Sequence, residues 1–273
     1  MLIIVFAPPR TGKTLYMASV ARRVAFDRQR TRAMQNEILL KRVSGFENLQ
    51  TIPRHCVSAN FDMQLRKFGY TPRLSRRINP FKLGFLNPFV ETHFNIPYEC
   101  IFIDEAQKYL NSRMASYYPD WQSRWYEQHG HDNIDIYLAT QRPMLIDVNV
   151  RELSQFTEIV KCKLYYDKFG KVCGFKSLLR HIDNSGLFEK YMASGKADKT
   201  CYTEEVYEDY FDVSACYNHQ SCKPKFYEGH FDEDFDYSLA IPLGDDIDGY
   251  IKYLEEVDDE LPKGFYQKRT ALC

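Results

Sequence analysis

The chain has 273 residues and a mass of 32.3 kDa, with 44% hydrophobic and 27% charged residues. This composition excludes a disordered chain, allows one or two domains, and contains no apolar run near the roughly 18 residues of a membrane-spanning helix. The net charge of −1 conceals a polarity, because residues 1–90 carry 16 basic and 4 acidic side chains whereas residues 200–273 carry 6 and 18.

Short apolar runs alternate with segments of helical spacing through the first 160 residues. The runs are residues 2–6, 56–61, 100–104 and 134–140. Such runs are typical of strands that are buried on both faces of a parallel sheet. Residues 15–25 repeat apolar side chains at helical spacing, and a second helix is predicted to begin at Glu105. The alternation predicts an α/β fold with a mainly parallel sheet flanked by helices.

The later part of the chain has a different pattern. Residues 158–167 and 171–179 predict a β-hairpin, and residues 247–257 predict a short helix. The end of the chain is acidic and rich in tyrosine. We therefore expect a first domain over residues 1–175 and a small accessory region over residues 176–273.

A loop with phosphate-binding spacing follows the first predicted strand. It comprises Ala7, Pro8, Pro9, Arg10, Thr11, Gly12, Lys13 and Thr14, with Ala7 in place of the usual first glycine. Backbone N–H groups of such a loop and of the following helix create a concave anion site. Gly12 lets the backbone approach a phosphate, Lys13 places its charge on the β- and γ-phosphates, and Thr14 binds Mg²⁺. The loop predicts a P-loop NTPase that binds ATP and Mg²⁺.

Polar residues follow two of the later strands. Asp104 ends one strand, where a carboxylate near a phosphate loop holds Mg²⁺, and Glu105 is suited to act as the general base that activates water. Gln141 follows the next strand and is predicted to sense the γ-phosphate. Acidic residues also begin many helices, and amides also satisfy turns. The predicted metal ligands are Thr14 and Asp104, and the predicted catalytic residues are Lys13, Glu105 and Gln141.

Further motifs accompany these residues in a fixed order. They are VSANFD with Asn60, IFIDEAQ at 101–107, His129-Gly130-His131, IDIYLATQRP at 134–143, and YFDVSACY at 210–217 followed by His219. Together with the phosphate loop, they resemble the Zot (zonula occludens toxin-like) family, within the FtsK/HerA class of P-loop motors. The resemblance covers roughly residues 1–220. Gly130 departs from it, because family members usually carry arginine between the two histidines.

The resemblance implies an ATPase whose subunits form a ring and drive assembly and export of filamentous phage particles containing single-stranded DNA. It implies single-stranded DNA or a coat-protein complex as partner. No segment matches the family's membrane-spanning helix, so we expect a cytoplasmic protein, peripheral at the host inner membrane through a membrane-bound assembly partner. In such rings an arginine completes the neighbouring site. The candidates are Arg113, Arg124, Arg142 and Arg151.

Two other functions remain open. One is a DNA-translocating or DNA-packaging ATPase of the FtsK/HerA type, which hydrolysis stimulated by duplex DNA would favour. The other is a scaffold that binds nucleotide without hydrolysing it, which an absence of turnover in the assembled state would favour. Nothing in these residues supports a toxin that acts on epithelial junctions.

A basic and aromatic segment occupies residues 64–94. It includes Arg66, Lys67, Arg73, Arg76, Arg77 and Lys82, interleaved with Phe68, Tyr70 and Phe81. The segment lacks periodicity, which indicates an insertion or a long loop. Its composition suits single-stranded DNA, anionic lipid or a solvated loop. Neutralisation by the acidic end of the chain is a further interpretation.

The eight cysteines are spread along the chain with no secretory segment, which favours reduced thiols. Cys201, Cys216, His219 and Cys222 are soft ligands, but their spacing is looser than that of recognised zinc sites. Zinc is therefore a secondary hypothesis. His129 and His131 lack an evident third ligand, which favours a structural or intersubunit role.

Overall fold

The computed structural model describes residues 1–39, 51–53, 55–61, 63–65, 73–74, 76–78, 80, 83, 96–113, 120–211 and 240–242. The strands are β1 (Leu2–Phe6), β2 (Thr51–Pro53), β3 (Val57–Ala59), β4 (Gln64–Leu65), β5 (Arg73–Leu74), β6 (Arg76–Arg77), β7 (Cys100–Ile103), β8 (Asp135–Thr140), β9 (Gln155–Tyr166), β10 (Val172–Ile182), β11 (Thr203–Tyr210) and β12 (Ala240–Pro242). The α-helices are α1 (Lys13–Ala25), α2 (Arg28–Leu39), α3 (Asp120–Gln128), α4 (Val148–Glu152) and α5 (Ser185–Ala193).

The main sheet orders its strands as β11-β10-β9-β1-β8-β7-β3-β6. The strands from β9 to β6 run parallel to one another, and β10 and β11 continue the sheet in antiparallel pairing. Phe6, the last residue of β1, pairs with Thr140 on one side and Glu158 on the other. The predicted mainly parallel α/β sheet is confirmed, and the phosphate loop leaves it between two neighbouring strands.

Helices cover both faces of the parallel strands. Successive side chains of β1 alternate between faces, so that Ile4 lies in the core packed against α5 while Val5 lies in the core packed against α1. All residues of β1 and β7 are buried. Burial on two faces explains why these strands appear in the sequence as continuous apolar runs. Among the described residues, no helix is both long and apolar enough to cross a membrane.

Two sequence predictions need correction. The helix expected from Glu105 is only a 3-10 turn at Ala106–Lys108, because Glu105 has a left-handed φ of 53°, which interrupts right-handed helical backbone. The segment expected to be a loop contains β6, which pairs in parallel with β3 at the sheet edge, and β4, which pairs with β5. Strands of two residues are too short to leave a periodic pattern.

The β-hairpin prediction is confirmed, since β9 and β10 pair in antiparallel register. The expected domain boundary at residues 175/176 falls within β10, and the sheet continues through β11 to Tyr210. The division into a domain and an accessory region therefore stays a prediction. The helix predicted over residues 247–257 lies outside the described part of the chain.

Candidate nucleotide site

The phosphate loop joins β1 to α1 and folds around the Lys13 side chain. Lys13 is 7% exposed, and its Nζ donates to the carbonyl oxygens of Ala7 at 3.0 Å and Pro8 at 3.1 Å. Burial lowers the pKa of Lys13, while the nearby carboxylates of Asp104 and Glu105 act in the opposite direction. The ammonium group is therefore held inside the loop, where it faces two carboxylates.

Two loop residues have left-handed backbone. Gly12 has φ 92° at the N-cap of α1, and Arg10 has φ 63°. Glycine adopts this conformation without a steric cost, whereas an arginine does not. The position of Arg10, where many such loops carry a second glycine, is therefore strained.

Gly12→Ala is expected to destabilise the protein by about 1–3 kcal/mol, because two costs coincide. The φ angle disfavours a side chain, and a Cβ would lie 2.9 Å from the Sγ of Cys162. Gly170→Ala is the matched control, because Gly170 has φ 76° but open space around the new Cβ. Denaturant unfolding of both variants measures the costs. Equal destabilisation would show that contact with Cys162 contributes nothing.

The two predicted metal ligands lie side by side. Thr14 Oγ1 donates to Asp104 Oδ2 at 2.7 Å, and the Glu105 backbone N–H donates to Asp104 Oδ1 at 2.8 Å. Asp104 is 7% exposed, and burial raises its pKa more than the hydrogen bond from Thr14 lowers it. A hydroxyl beside a carboxylate is an oxygen donor set that suits Mg²⁺. Thr14 and Asp104 therefore fit the ion that the loop motif implies.

Asn60 orients the backbone of Asp104 by a two-way amide contact. Its Nδ2 donates to the Asp104 carbonyl oxygen at 3.0 Å, and its Oδ1 accepts from the Asp104 N–H at 2.8 Å. The sequence indicated Asn60 through the family resemblance alone. The contact depends on β3 and β7 being neighbours in the sheet, so local sequence carries no signal for it.

Asp104→Asn is expected to raise thermal stability at pH 7 without Mg²⁺ or nucleotide, while abolishing Mg²⁺-dependent hydrolysis. Because the folded-state pKa of Asp104 is raised, its contribution to stability is present below its ordinary value of 3.8 and is lost as the pH rises. The gain of the asparagine variant should therefore vanish below about pH 4. Melting temperatures measured from pH 3 to pH 8 test this.

Asp198→Asn provides a control of opposite sign. Hydrogen bonds from Thr200 lower the pKa of Asp198, so its ionised form favours the folded chain and its replacement should reduce stability at pH 7. A lower melting temperature for Asp104→Asn than for wild type at pH 7 would contradict the prediction.

Glu105 and Gln141 meet at the carboxyl edge of the sheet. The Glu105 carboxylate accepts a hydrogen bond from Gln141 Nε2 at 3.1 Å and another from Gln107 Nε2. Glu105 is half-buried, and Gln141 is exposed. The structure thus brings together the predicted base and the predicted γ-phosphate sensor. Gln107 is the partner that sequence reasoning missed, although it lies within the IFIDEAQ motif.

The other predicted residues are distributed around the molecule. Arg113, Arg124 and Arg142 are exposed, while Arg151 is half-buried and donates from Nη1 to the Sδ of Met144 at 3.1 Å. His129 is buried with Nδ1 2.6 Å from the carbonyl oxygen of Tyr126, which favours a structural role, and His131 is exposed.

The zinc hypothesis is largely outside the described residues. Cys201 is buried, whereas Cys216, His219 and Cys222 are not described. Within the described ranges, no three or more His, Cys, Asp or Glu side chains are grouped to hold a metal ion.

The fold and site together define a class of protein. Lys13 and Thr14 begin α1, directly after the loop that follows the central parallel strand β1, and Asp104 lies beside Thr14 at the end of another strand. This is the arrangement of a P-loop NTPase fold. The family model for Zonular occludens toxin (Zot) matches residues 1–164. Because this match covers more than half of the chain, the chain belongs to the Zot family, which confirms the resemblance seen in the sequence.

The solved structures that are similar to this chain include the following two. The N-terminal domain of zonular occludens toxin from Neisseria meningitidis is 21% identical, with a TM-score of 0.44 and coverage of 80% of this chain and 98% of that one. The genome packaging NTPase B204 from Sulfolobus turreted icosahedral virus 2, in complex with ATP-gammaS, is 10% identical, with a TM-score of 0.31 and coverage of 76% and 96%. No curated protein matches the chain. The family assignment rests on the family model.

Proposed function

We propose that the chain is a Mg²⁺-dependent ATPase whose hydrolysis drives the assembly and export of filamentous phage particles containing single-stranded DNA. The observation that carries the enzymatic part is the 2.7 Å contact between Thr14 and Asp104 in a site that also contains Lys13. Loop N–H groups at the N-terminus of α1 would bind the phosphates, and the Lys13 ammonium would neutralise the β- and γ-phosphates. Thr14 and Asp104 would hold Mg²⁺, which supplies charge stabilisation at the phosphoryl oxygens when bound.

Glu105 supplies the base in this proposal. Its carboxylate accepts a proton from water as the water oxygen attacks the γ-phosphorus, and ADP leaves with the electron pair of the broken P–O bond. Gln141 donates to the same carboxylate, so its amide is placed to orient both the base and the attacking water. Because the two amides of Gln107 and Gln141 hold it, the carboxylate has a defined direction before substrate binds.

Phosphate release by the purified wild-type chain tests the proposal. We expect release that requires Mg²⁺, stops with EDTA, and increases with single-stranded DNA. Stimulation by duplex DNA instead would favour a DNA-translocating or DNA-packaging ATPase. Retention of ATP without release, even with DNA present, would favour a non-hydrolysing scaffold.

The assembled state is part of the same proposal. Subunits would form a ring at the cytoplasmic side of the host inner membrane, recruited there by a membrane-bound assembly partner. The exposed side chains of Arg113, Arg124 and Arg142 are available for a contact with a neighbouring subunit's nucleotide. Sedimentation in the presence of Mg²⁺ and ATP tests whether the subunits form a ring. We expect a species with several times the mass of one chain.

A further inference from the structure

The hairpin of β9 and β10 extends past the edge at which β1 ends. Phe6 pairs with Glu158, and β9 continues beyond that pair to Tyr166. We call the part of the hairpin beyond the pair of Phe6 and Glu158 its outer part. Within the described residues, this part of β9 pairs only with the return strand β10, which begins at Val172. This outer part therefore stands next to the phosphate loop, which leaves the sheet at the same edge.

One face of this hairpin touches the loop and the helix that follows. Cys162 packs against Gly12 so closely that an added Cβ at Gly12 would lie 2.9 Å from its sulfur. Strand β11 also contacts α1, because Ser19 Oγ lies 2.8 Å from Tyr207 Oη and Arg22 Nη2 donates to Asp209 at 2.7 and 2.8 Å. The face is thus fixed relative to the start of α1.

The same face presents uncovered apolar side chains beyond Cys162. Side chains two residues apart on a strand share a face, so Leu164 and Tyr166 lie on the side of Cys162. Leu164 is 37% exposed and Tyr166 62% exposed, although Phe175, which pairs with Leu164, is fully buried. An apolar surface therefore begins within two residues of the contact with Gly12.

We propose that Leu164 and Tyr166 form the surface that binds the nucleoside base of the nucleotide whose phosphates occupy the loop. The assignment rests on the proposed function, because it requires phosphates at Gly12. A nucleotide anchored there must place its base nearby, and bases bind by packing their flat faces on aromatic and aliphatic side chains. Such packing tolerates different bases, so ATP and GTP should both use this surface.

Leu164→Ser and Tyr166→Ala test the assignment, with Val206→Ser and Tyr210→Ala as matched controls. Val206 and Tyr210 are 57% and 63% exposed. They lie on the opposite face, because they alternate along β11 with Tyr207 and Asp209, which face α1. Binding of ATP, GTP and inorganic tripolyphosphate is measured for each variant by calorimetry. We expect each test variant to reduce the affinity for ATP and GTP by about fivefold or more and to leave the affinity for tripolyphosphate unchanged.

The controls should leave all three affinities unchanged. If the wild type binds ATP but the two test variants bind it equally well, or lose ATP and tripolyphosphate in parallel, the base-binding assignment is wrong while the proposed ATPase function stands. If the wild type binds none of the three ligands, the proposed function is wrong and the assignment fails with it.

Discussion

Glu105→Gln is expected to reduce ATP hydrolysis by roughly 10²–10⁴-fold while ATP binding is retained. The amide has nearly the shape of the carboxylate but cannot accept the proton of the attacking water. Glu105 lies outside the phosphate loop and contacts Gln107 and Gln141, so its replacement leaves the contacts of Lys13 and Thr14 in place. Phosphate release under saturating ATP, together with titration of a fluorescent ATP analogue, measures both properties.

Glu127→Gln is the matched control, because Glu127 is an exposed glutamate on α3 and its replacement by glutamine makes the same change of charge. It should hydrolyse ATP at the wild-type rate. Glu105→Gln that hydrolyses ATP within a few-fold of wild type would remove Glu105 from the role of base. A variant that loses nucleotide binding as well would assign Glu105 to binding.

Lys13→Ala is expected to reduce the rate of ATP hydrolysis by about 100-fold or more and to weaken ATP binding. The ammonium already lies in the loop, 3.0 Å from the Ala7 carbonyl oxygen, where it would pair with the phosphates. Lys13→Arg should also fail, because a planar guanidinium does not fit a site built around a buried, compact ammonium. Nucleotide titration and phosphate release, with Lys190→Ala as an exposed control, measure these effects.

Thermal stability separates loss of function from loss of fold in this case. Because burial lowers the pKa of Lys13, the folded chain disfavours its charged form, and removing that charge should not lower the melting temperature of the nucleotide-free protein. Lys13→Ala with normal stability and normal ATP affinity would contradict a phosphate-binding role for Lys13. A variant that unfolds would instead show that its bonds to Ala7 and Pro8 hold the loop together.

The elements near the site were predictable because their signals are local. A strand buried on both faces appears as an apolar run, as in residues 2–6, and a glycine in the loop that follows suits left-handed backbone, as at Gly12. Elements of weak local signal were missed. The strand β6 gains its stability from pairing with β3, and the 3-10 turn after Glu105 replaces a helix that the sequence favoured.

Sequence alone therefore determined the sheet class, the phosphate loop, the acidic pair after β7 and the family to which the chain belongs. Tertiary structure alone decided which distant residues meet: Asn60 with the backbone of Asp104, Gln141 with Glu105, and Cys162 with Gly12. The physical reason is the distance along the chain over which each feature is specified. The apolar run of a buried strand and the residue types of a phosphate loop are patterns within a few consecutive residues, whereas these contacts depend on the order and register of strands that are far apart in sequence.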